Sequence, residues 1–389
     1  MRLGGLVVGA AAGLAASYIA RRAERVVRRE GLVDWPAVQR IASRRLRAAP
    51  GALDPVALRS SQAGYEAAMA RIVPALEAHL GRPLPGVVER HEVVDRSGWV
   101  AANITTFQLI LRKLEPQVIE QLDRHPGIGA SFAALANRFL TTQQVGFLLG
   151  YLGTRVLGQY DVALLSAEAA PGRLLFVEEN VRHAAAQLGV PLDDFRTWIA
   201  LHETSHAFEF EAHDWLRPYL AQRLERQLAS FVEDARAFQA DGLLELARRL
   251  RRGDGDLLAG LLSDEQRGLL RETQLVMSLL EGFSDWVMDE VGRELLPDVP
   301  TLRARFEARR DQRRRGLDRL IGRLIGLDMK LEQYRRGERF VAGVWAAGGQ
   351  AAIDRLFSGP GALPSEAELA EPPLWVARVL GQPAGSGSS

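Results

Sequence analysis

Two histidines four residues apart, His202 and His206, place the strongest constraint on the fold of this chain. Residues at this spacing lie on one face of a helix, so both imidazoles can reach one ion if the segment His202-Glu203-Thr204-Ser205-His206 is helical. Glu203 would then project beside the ion, where a carboxylate can hold a bound water and take its proton. This HExxH motif predicts a zinc site with an open coordination position. The competing interpretation is a pair of hydrogen-bonded core histidines.

Composition limits the atoms that can hold such an ion. The 389 residues include no cysteine, which excludes thiolate ligands, disulfides and a cysteine nucleophile. Any metal must therefore be held by carboxylates and by some of the seven histidines. The formal net charge of +1 gives no electrostatic basis for nucleic-acid binding, and we expect no nucleic-acid partner.

Apolar residues recur at steps of three and four along most of the chain, the spacing typical of amphipathic helices. The segments with this pattern are 56–80, 103–123, 129–151, 216–251, 264–293, 301–326 and 328–357. An earlier helix is predicted to begin near Trp35 and Pro36, with Asp34 as its N-cap. The sequence therefore predicts a mainly α fold with a small β-sheet (α+β).

Two short apolar runs, 160–165 and 173–177, supply the predicted sheet. We expect them to be neighbouring strands, and we expect 173–177 to be the edge strand that pairs with an extended peptide. A helix follows from Pro191, with Asp193 or Asp194 as its cap, and carries the HExxH motif on its apolar stripe. This placement favours a metal site, because buried imidazoles and a carboxylate need partners.

The chain is expected to divide into three parts. These are an apolar then basic N-terminal helix at 1–30, a catalytic body at 31–378 and a flexible tail at 379–389. The boundaries follow the loss of charge at the N-terminus and the Gly/Ser-rich composition at the C-terminus.

Residues 3–20 carry no charge, and Gly5, Gly9 and Gly13 would line one face of a helix there. The segment fits either a membrane anchor or a helix packed on the body. Arginines follow it at positions 21, 22, 25, 28 and 29, so a spanning helix would leave the body in the cytoplasm. We therefore expect a cytoplasmic protein, tethered to the inner face of the cell membrane if the segment spans.

A zinc site of this kind needs a third protein ligand, and Glu281 is the favoured candidate. It lies in an apolar helical segment, where a carboxylate is costly to bury unless it is paired or bound to a metal. Asp285, four residues later, would share its face and accept the outer ring N–H of a zinc-bound histidine. The minority candidate is His213. On a continuous helix it would lie roughly 10 Å beyond His206 along the axis.

The segment from Glu281 to Asp285 resembles the second motif of the gluzincins, the thermolysin-like metallopeptidases. More broadly, the chain resembles a bacterial family of predicted zincin-like metallopeptidases of unknown substrate, sometimes labelled coenzyme-F420-biosynthesis-associated. The resembling segments are 33–35, 158–161, 195–198, 202–206, 281–285 and 330–340. The resemblance implies a zincin-like body with an HExxH zinc site. Because the label reflects association, no F420 reaction is inferred from it.

A transition-state donor is also expected in such a site, commonly a Tyr, His or Arg in thermolysin-like enzymes. Tyr334 and Tyr160 are the candidates, because each lies in a resembling segment beside polar residues. A tyrosine in such a position is more often an ordinary core residue with a satisfied hydroxyl.

The sequence thus predicts a zinc-dependent metallohydrolase, with a peptide or protein as substrate and Glu203 as general base. Hydrolysis of a non-peptide amide fits the same motif. The alternative from another class is a non-catalytic, zinc-stabilised helical interaction protein, and a general-base glutamate favours the enzyme over it.

Overall fold

The computed structural model describes residues 29–84, 86–124, 128–161, 172–237, 264–312 and 330–381. It confirms the mainly α fold with a small sheet. The N-terminal segment 3–20 lies outside the described residues, as do 162–165 of the first predicted strand. Within the described ranges, no helix is long and apolar enough to cross a membrane.

Thirteen α-helices are found in the part of the chain that the structure describes. They are α1 (Trp35–Arg47), α2 (Pro55–Leu80), α3 (Arg96–Arg124), α4 (Ile128–Gly153), α5 (Glu178–Leu188), α6 (Leu192–Glu211), α7 (Leu216–Ala237), α8 (Asp264–Glu290), α9 (Gly292–Leu295), α10 (Val299–Gln312), α11 (Lys330–Ile353), α12 (Glu366–Ala370) and α13 (Pro372–Leu380). Six of the seven segments with helical periodicity coincide with helices over nearly all of their described residues. In the seventh, 328–357, the helix ends at Ile353 and residues 354–357 form turns. The backbone of α11 is interrupted at Gly349, where φ is +58°.

The chain forms two compact units, Met1–Asp54 with Val94–Val156, and Pro55–Val93 with Leu157–Ser389. The body expected at 31–378 thus contains parts of both units, and its status as a single domain stays a prediction. In the first unit, α1, α3 and α4 pack together. The Asp34 carboxylate accepts a hydrogen bond from the Ala37 N–H, which confirms the predicted N-cap.

The second unit contains a three-stranded sheet of β1 (His91–Val94), β2 (Gly158–Asp161) and β3 (Arg173–Val177), in the order β1-β3-β2. Strands β2 and β3 are antiparallel, with Gly158 opposite Phe176 and Asp161 opposite Arg173. The predicted pairing is therefore confirmed, but the prediction that 173–177 is an edge strand is wrong. Residues Leu174 to Val177 are all fully buried, as expected for a strand covered on both sides.

Helix α6 crosses the core of the second unit and packs against α2, α8 and the sheet. Its apolar side chains Phe195, Leu201 and Phe208 are buried, and so are most of its polar ones. The predicted aspartate cap is wrong: Pro191 is the N-cap residue and makes no side-chain cap bond. Asp193 and Asp194 instead lie in the first turn, where their negative charges interact favourably with the positive end of the helix dipole.

Helices α8 and α11 approach each other closely at two glycines. A Cβ on Gly282 would lie 2.2 Å from the carbonyl carbon of Gly337. The backbones can meet only because neither residue has a side chain. This contact adjoins Glu281 and fixes the position of the segment that carries it.

Candidate metal centre

Helices α6 and α8 bring together the three predicted ligands His202, His206 and Glu281. One ligand atom from each lies within 4.8 Å of the other two. The Nε2 atoms of His202 and His206 are 3.2 Å apart, and the nearer Glu281 oxygen, Oε2, is 3.9 Å from His202 Nε2. All three side chains are partly exposed.

The chemistry of this donor set fits zinc. Two nitrogens bound at about 2.05 Å to one tetrahedral zinc ion would lie roughly 3.3 Å apart, close to the spacing of His202 and His206. The Glu281 carboxylate would supply the third donor, which would leave one position for water. Two histidines and one carboxylate are also the ligand set of known catalytic zinc hydrolases.

Glu203 lies beside this donor set and is almost fully buried. Burial raises the pKa of its carboxyl to about 7, and the charge of Glu281 adds to the increase. The charge of His206 and a hydrogen bond from the Tyr160 backbone N–H, 2.9 Å from Oε2, act in the opposite direction. A carboxyl that exchanges its proton near neutral pH is suited to general acid–base chemistry.

A profile of the family described as zincin-like metallopeptidase matches residues 33–376. The chain belongs to this family. A crystal structure from Chloroflexus aurantiacus, described as "a putative hydrolase with a novel fold", is similar over 90% of this chain and 100% of its own. The two share 35% sequence identity, with a TM-score of 0.64. No curated protein matches the chain.

The zincin-like chain holds His206 from its outer side with a carboxylate that the sequence did not single out. The Nδ1–H of His206 donates to Glu209 Oε2 at 2.8 Å, and Glu209 is fully buried. The Ser284 hydroxyl lies 3.4 Å from Glu209 Oε1 and 3.2 Å from His206 Nδ1. Burial tends to lower the pKa of His206, but the Glu209 carboxylate outweighs it and raises that pKa.

His213 is placed away from the three ligands. Its Nδ1–H donates to the Glu209 backbone carbonyl at 2.8 Å, and its Nε2 lies 3.2 Å from Arg82 Nη2, a donor. Burial lowers the pKa of this histidine. Both ring nitrogens are thus occupied by protein groups, and within the described residues His213 is not part of the metal-binding group.

The outer nitrogen of His202 lies 3.2 Å from Met288 Sδ. Asp285, predicted to support a zinc-bound histidine, is among the charges that raise the pKa of Arg303. At His206, the carboxylate that accepts from the outer ring N–H is Glu209. A supporting role for Asp285 therefore remains a prediction, and it concerns His202.

Neither candidate for the oxyanion donor is placed in that role. The Tyr160 hydroxyl donates a hydrogen bond to the Glu211 carboxylate. Burial and this hydrogen bond raise the pKa of Tyr160, and the hydroxyl already has a protein partner. Tyr334 lies on α11, but its side chain is outside the described residues. Tyr160 nevertheless contributes to the site through its backbone N–H.

Glu209 could have been found from the sequence. It follows His206 by three residues and therefore lies on the same helix face as both histidines. A search for a carboxylate at this spacing would have identified it. Gly158 and Ser284 carry no comparable signal, because their contacts depend on how other elements pack against α6.

Proposed function

We propose that this protein is a zinc-dependent hydrolase that cleaves amide bonds, with peptides or proteins as its substrates. The observation that carries the proposal is the convergence of His202, His206 and Glu281 within 4.8 Å, with the Glu203 carboxylate beside them. The family, described as metallopeptidases, and the hydrolase neighbour support the same reaction class.

His202, His206 and Glu281 would hold the ion. When bound, zinc supplies a Lewis acid that lowers the pKa of water and polarises the carbonyl to be attacked. The three ligands come from two helices packed in the core, so their relative positions are set by the fold itself.

Glu203 would act as the general base and then as the proton shuttle. Its carboxylate takes a proton from the attacking water and delivers that proton to the leaving amine, so the group is restored after each turnover. The Tyr160 N–H holds one carboxylate oxygen, Oε2. The other oxygen, Oε1, is then the one that we assign to the proton transfers.

Tyr334 is the remaining tyrosine proposed to stabilise the oxyanion, since the Tyr160 hydroxyl is engaged by Glu211. Asp285 is proposed to support His202 in the way that Glu209 supports His206.

The replacement Glu203→Gln tests the reaction. The amide keeps the size of the side chain but cannot take a proton, so we expect hydrolysis of a mixed peptide library to fall by about 10²–10⁴-fold. Zinc content should be unchanged, because Glu203 is not a ligand. Glu366→Gln, at an exposed glutamate of α12, is the control for the substitution itself.

Undiminished hydrolysis by Glu203→Gln would contradict the assigned mechanism. A wild-type protein that binds zinc and cleaves no peptide would contradict the peptidase assignment and favour the non-catalytic alternative.

A further inference from the structure

The mechanism proposed above leaves one buried ionisable group of the site without a role. Glu209 lies one turn beyond His206 on α6 and is completely inaccessible to solvent. A buried carboxylate is costly unless its oxygens have partners. The Nδ1–H of His206 contacts Oε2 at 2.8 Å, and the Ser284 hydroxyl contacts Oε1 at 3.4 Å.

The contact with His206 selects one tautomer. A carboxylate can only accept, so the nitrogen that faces Glu209 must carry a proton. In the neutral ring that binds a metal, the lone pair of His206 is then on Nε2, the atom that lies 3.2 Å from His202 Nε2. Metal-binding histidines almost always have this arrangement, in which a carboxylate, a backbone carbonyl or a water accepts from the outer N–H.

Ser284 connects this support to the second helix of the site. It lies on α8, three residues after Glu281, and is fully buried. Its hydroxyl lies within hydrogen-bond distance of both Glu209 and His206 Nδ1. The helix that provides the carboxylate ligand therefore also holds the group that orients a histidine ligand.

We propose that Glu209 is a positioning residue for the metal centre, which fixes the tautomer and ring orientation of His206 and raises the basicity of its Nε2. The inference rests on the proposed function, because it takes His206 to be a zinc ligand. Ser284 restrains Glu209 and has the smaller effect.

The affinity for zinc, measured by competition with a chromophoric chelator, tests this role. Loss of an outer carboxylate typically weakens metal binding by about 10–100-fold, and we expect a loss in this range for Glu209→Ala. Glu209→Gln should lose less, because its amide oxygen can still accept from Nδ1–H, although the negative charge is gone. Ser284→Ala should lose the least.

Glu178→Gln is the matched control. Glu178 is as fully buried as Glu209, but its carboxylate contacts Tyr65, Arg182 and Arg196 rather than a histidine. We expect this variant to lose stability while keeping the wild-type zinc affinity. If Glu209 had a merely structural role, Glu209→Ala would likewise lose stability and keep the wild-type zinc affinity.

The outcomes separate the two proposals. Wild-type affinity in folded Glu209→Ala would overturn the positioning role and leave the zinc site standing. A Glu209→Gln variant that loses as much affinity as folded Glu209→Ala would also overturn it, because the retained amide oxygen should preserve part of the effect. Failure of the wild-type protein to bind zinc would overturn the proposed function, and this inference with it.

Discussion

Gly158 is the point at which strand β2 contacts the carboxylate of Glu203. A Cβ at this position would lie 2.6 Å from Glu203 Cγ and 2.8 Å from Oε1. Both distances are shorter than real Cβ contacts, so a side chain here would displace the carboxylate. The N–H of Tyr160, two residues further along β2, holds the other oxygen. The strand thus shapes the position of the proposed general base through its backbone alone.

Gly158→Ala should therefore reduce hydrolysis, by about 10-fold or more, because the displaced carboxylate no longer meets its water in the required geometry. Zinc binding should persist, since no ligand is moved directly. Steady-state kinetics and metal content together check this expectation. Gly86→Ala, where a Cβ would have no neighbour within 4 Å, should retain wild-type activity; equal activity of both variants would argue against the contact.

At the residue scale, site residues that share a local motif could be predicted from the sequence. Site residues that come into contact only through tertiary packing could not. His202, Glu203 and His206 follow from a spacing of one and four residues on a helix, and Glu281 follows from its apolar surroundings. Ser284 meets Glu209 only because α8 packs against α6, which no local pattern encodes.

Among the elements, the contact between α8 and α11 is the one on which the position of Glu281, the proposed third ligand, depends. A Cβ on Gly337 would lie 1.8 Å from the carbonyl oxygen of Ser278, and one on Gly282 would meet the backbone of Gly337. No rotamer change can relieve a clash with backbone atoms. A larger residue at either position must push the two helices apart.

Gly282→Ala should lower the free energy of unfolding by about 1–3 kcal/mol, the usual cost of overpacking. It should also weaken zinc binding, because Glu281 is its immediate neighbour on α8. Chemical denaturation and chelator competition measure the two effects. Gly268 lies on the same helix, and a Cβ there would have no neighbour within 4 Å, so Gly268→Ala should be neutral or slightly stabilising. An equally neutral result for Gly282→Ala would contradict the proposed effect of the contact.

Element types were more predictable than their partners. Helical periodicity extends over tens of residues, so each long segment was recognisable. Strand β3 was recognisable as an apolar run, whereas β2 begins at Gly158 and shares only Tyr160 and Asp161 with the predicted run. Strand β1 has only four residues, and most of them are partly exposed. Its pairing with β3 is set by tertiary contacts. For this reason β1 was missed and β3 was assigned to the edge.

For the molecule as a whole, partly buried histidines with lowered pKa values link stability to pH. His79 packs against the rings of Trp286 and Trp345, with centroids 5.1 and 6.2 Å away. Burial lowers its pKa below the ordinary value of 6.5, although the charges of Glu290 and Glu294 oppose the shift. The unfolded chain therefore binds a proton more readily than the folded one near pH 6.

The free energy of unfolding should consequently fall as the pH falls through and below 6.5, because unfolding takes up a proton. One such group contributes at most about 1.4 kcal/mol per pH unit. In zinc-free protein, His79→Phe should lose less stability than wild type between pH 7.5 and 5.5, as measured by urea denaturation. If the free energy of unfolding changed equally with pH in both proteins, His79 would not be the source of the pH dependence.

The division into two units was not predictable from the sequence. The second unit combines Pro55–Val93 with residues from Leu157 onward, and the segment between them belongs to the first unit. Apolar periodicity does not indicate that the chain passes from one unit to the other and back. It depends on local structure and does not show which helices pack together.

The zinc content of purified protein tests the central claim most directly. Wild type, His206→Ala, Glu281→Ala and the control Glu366→Gln would be loaded with equal zinc, desalted and measured by atomic absorption. We predict about one zinc ion per chain for wild type and the control, and a large loss in the two ligand variants. Stoichiometric zinc in all four proteins would contradict the site.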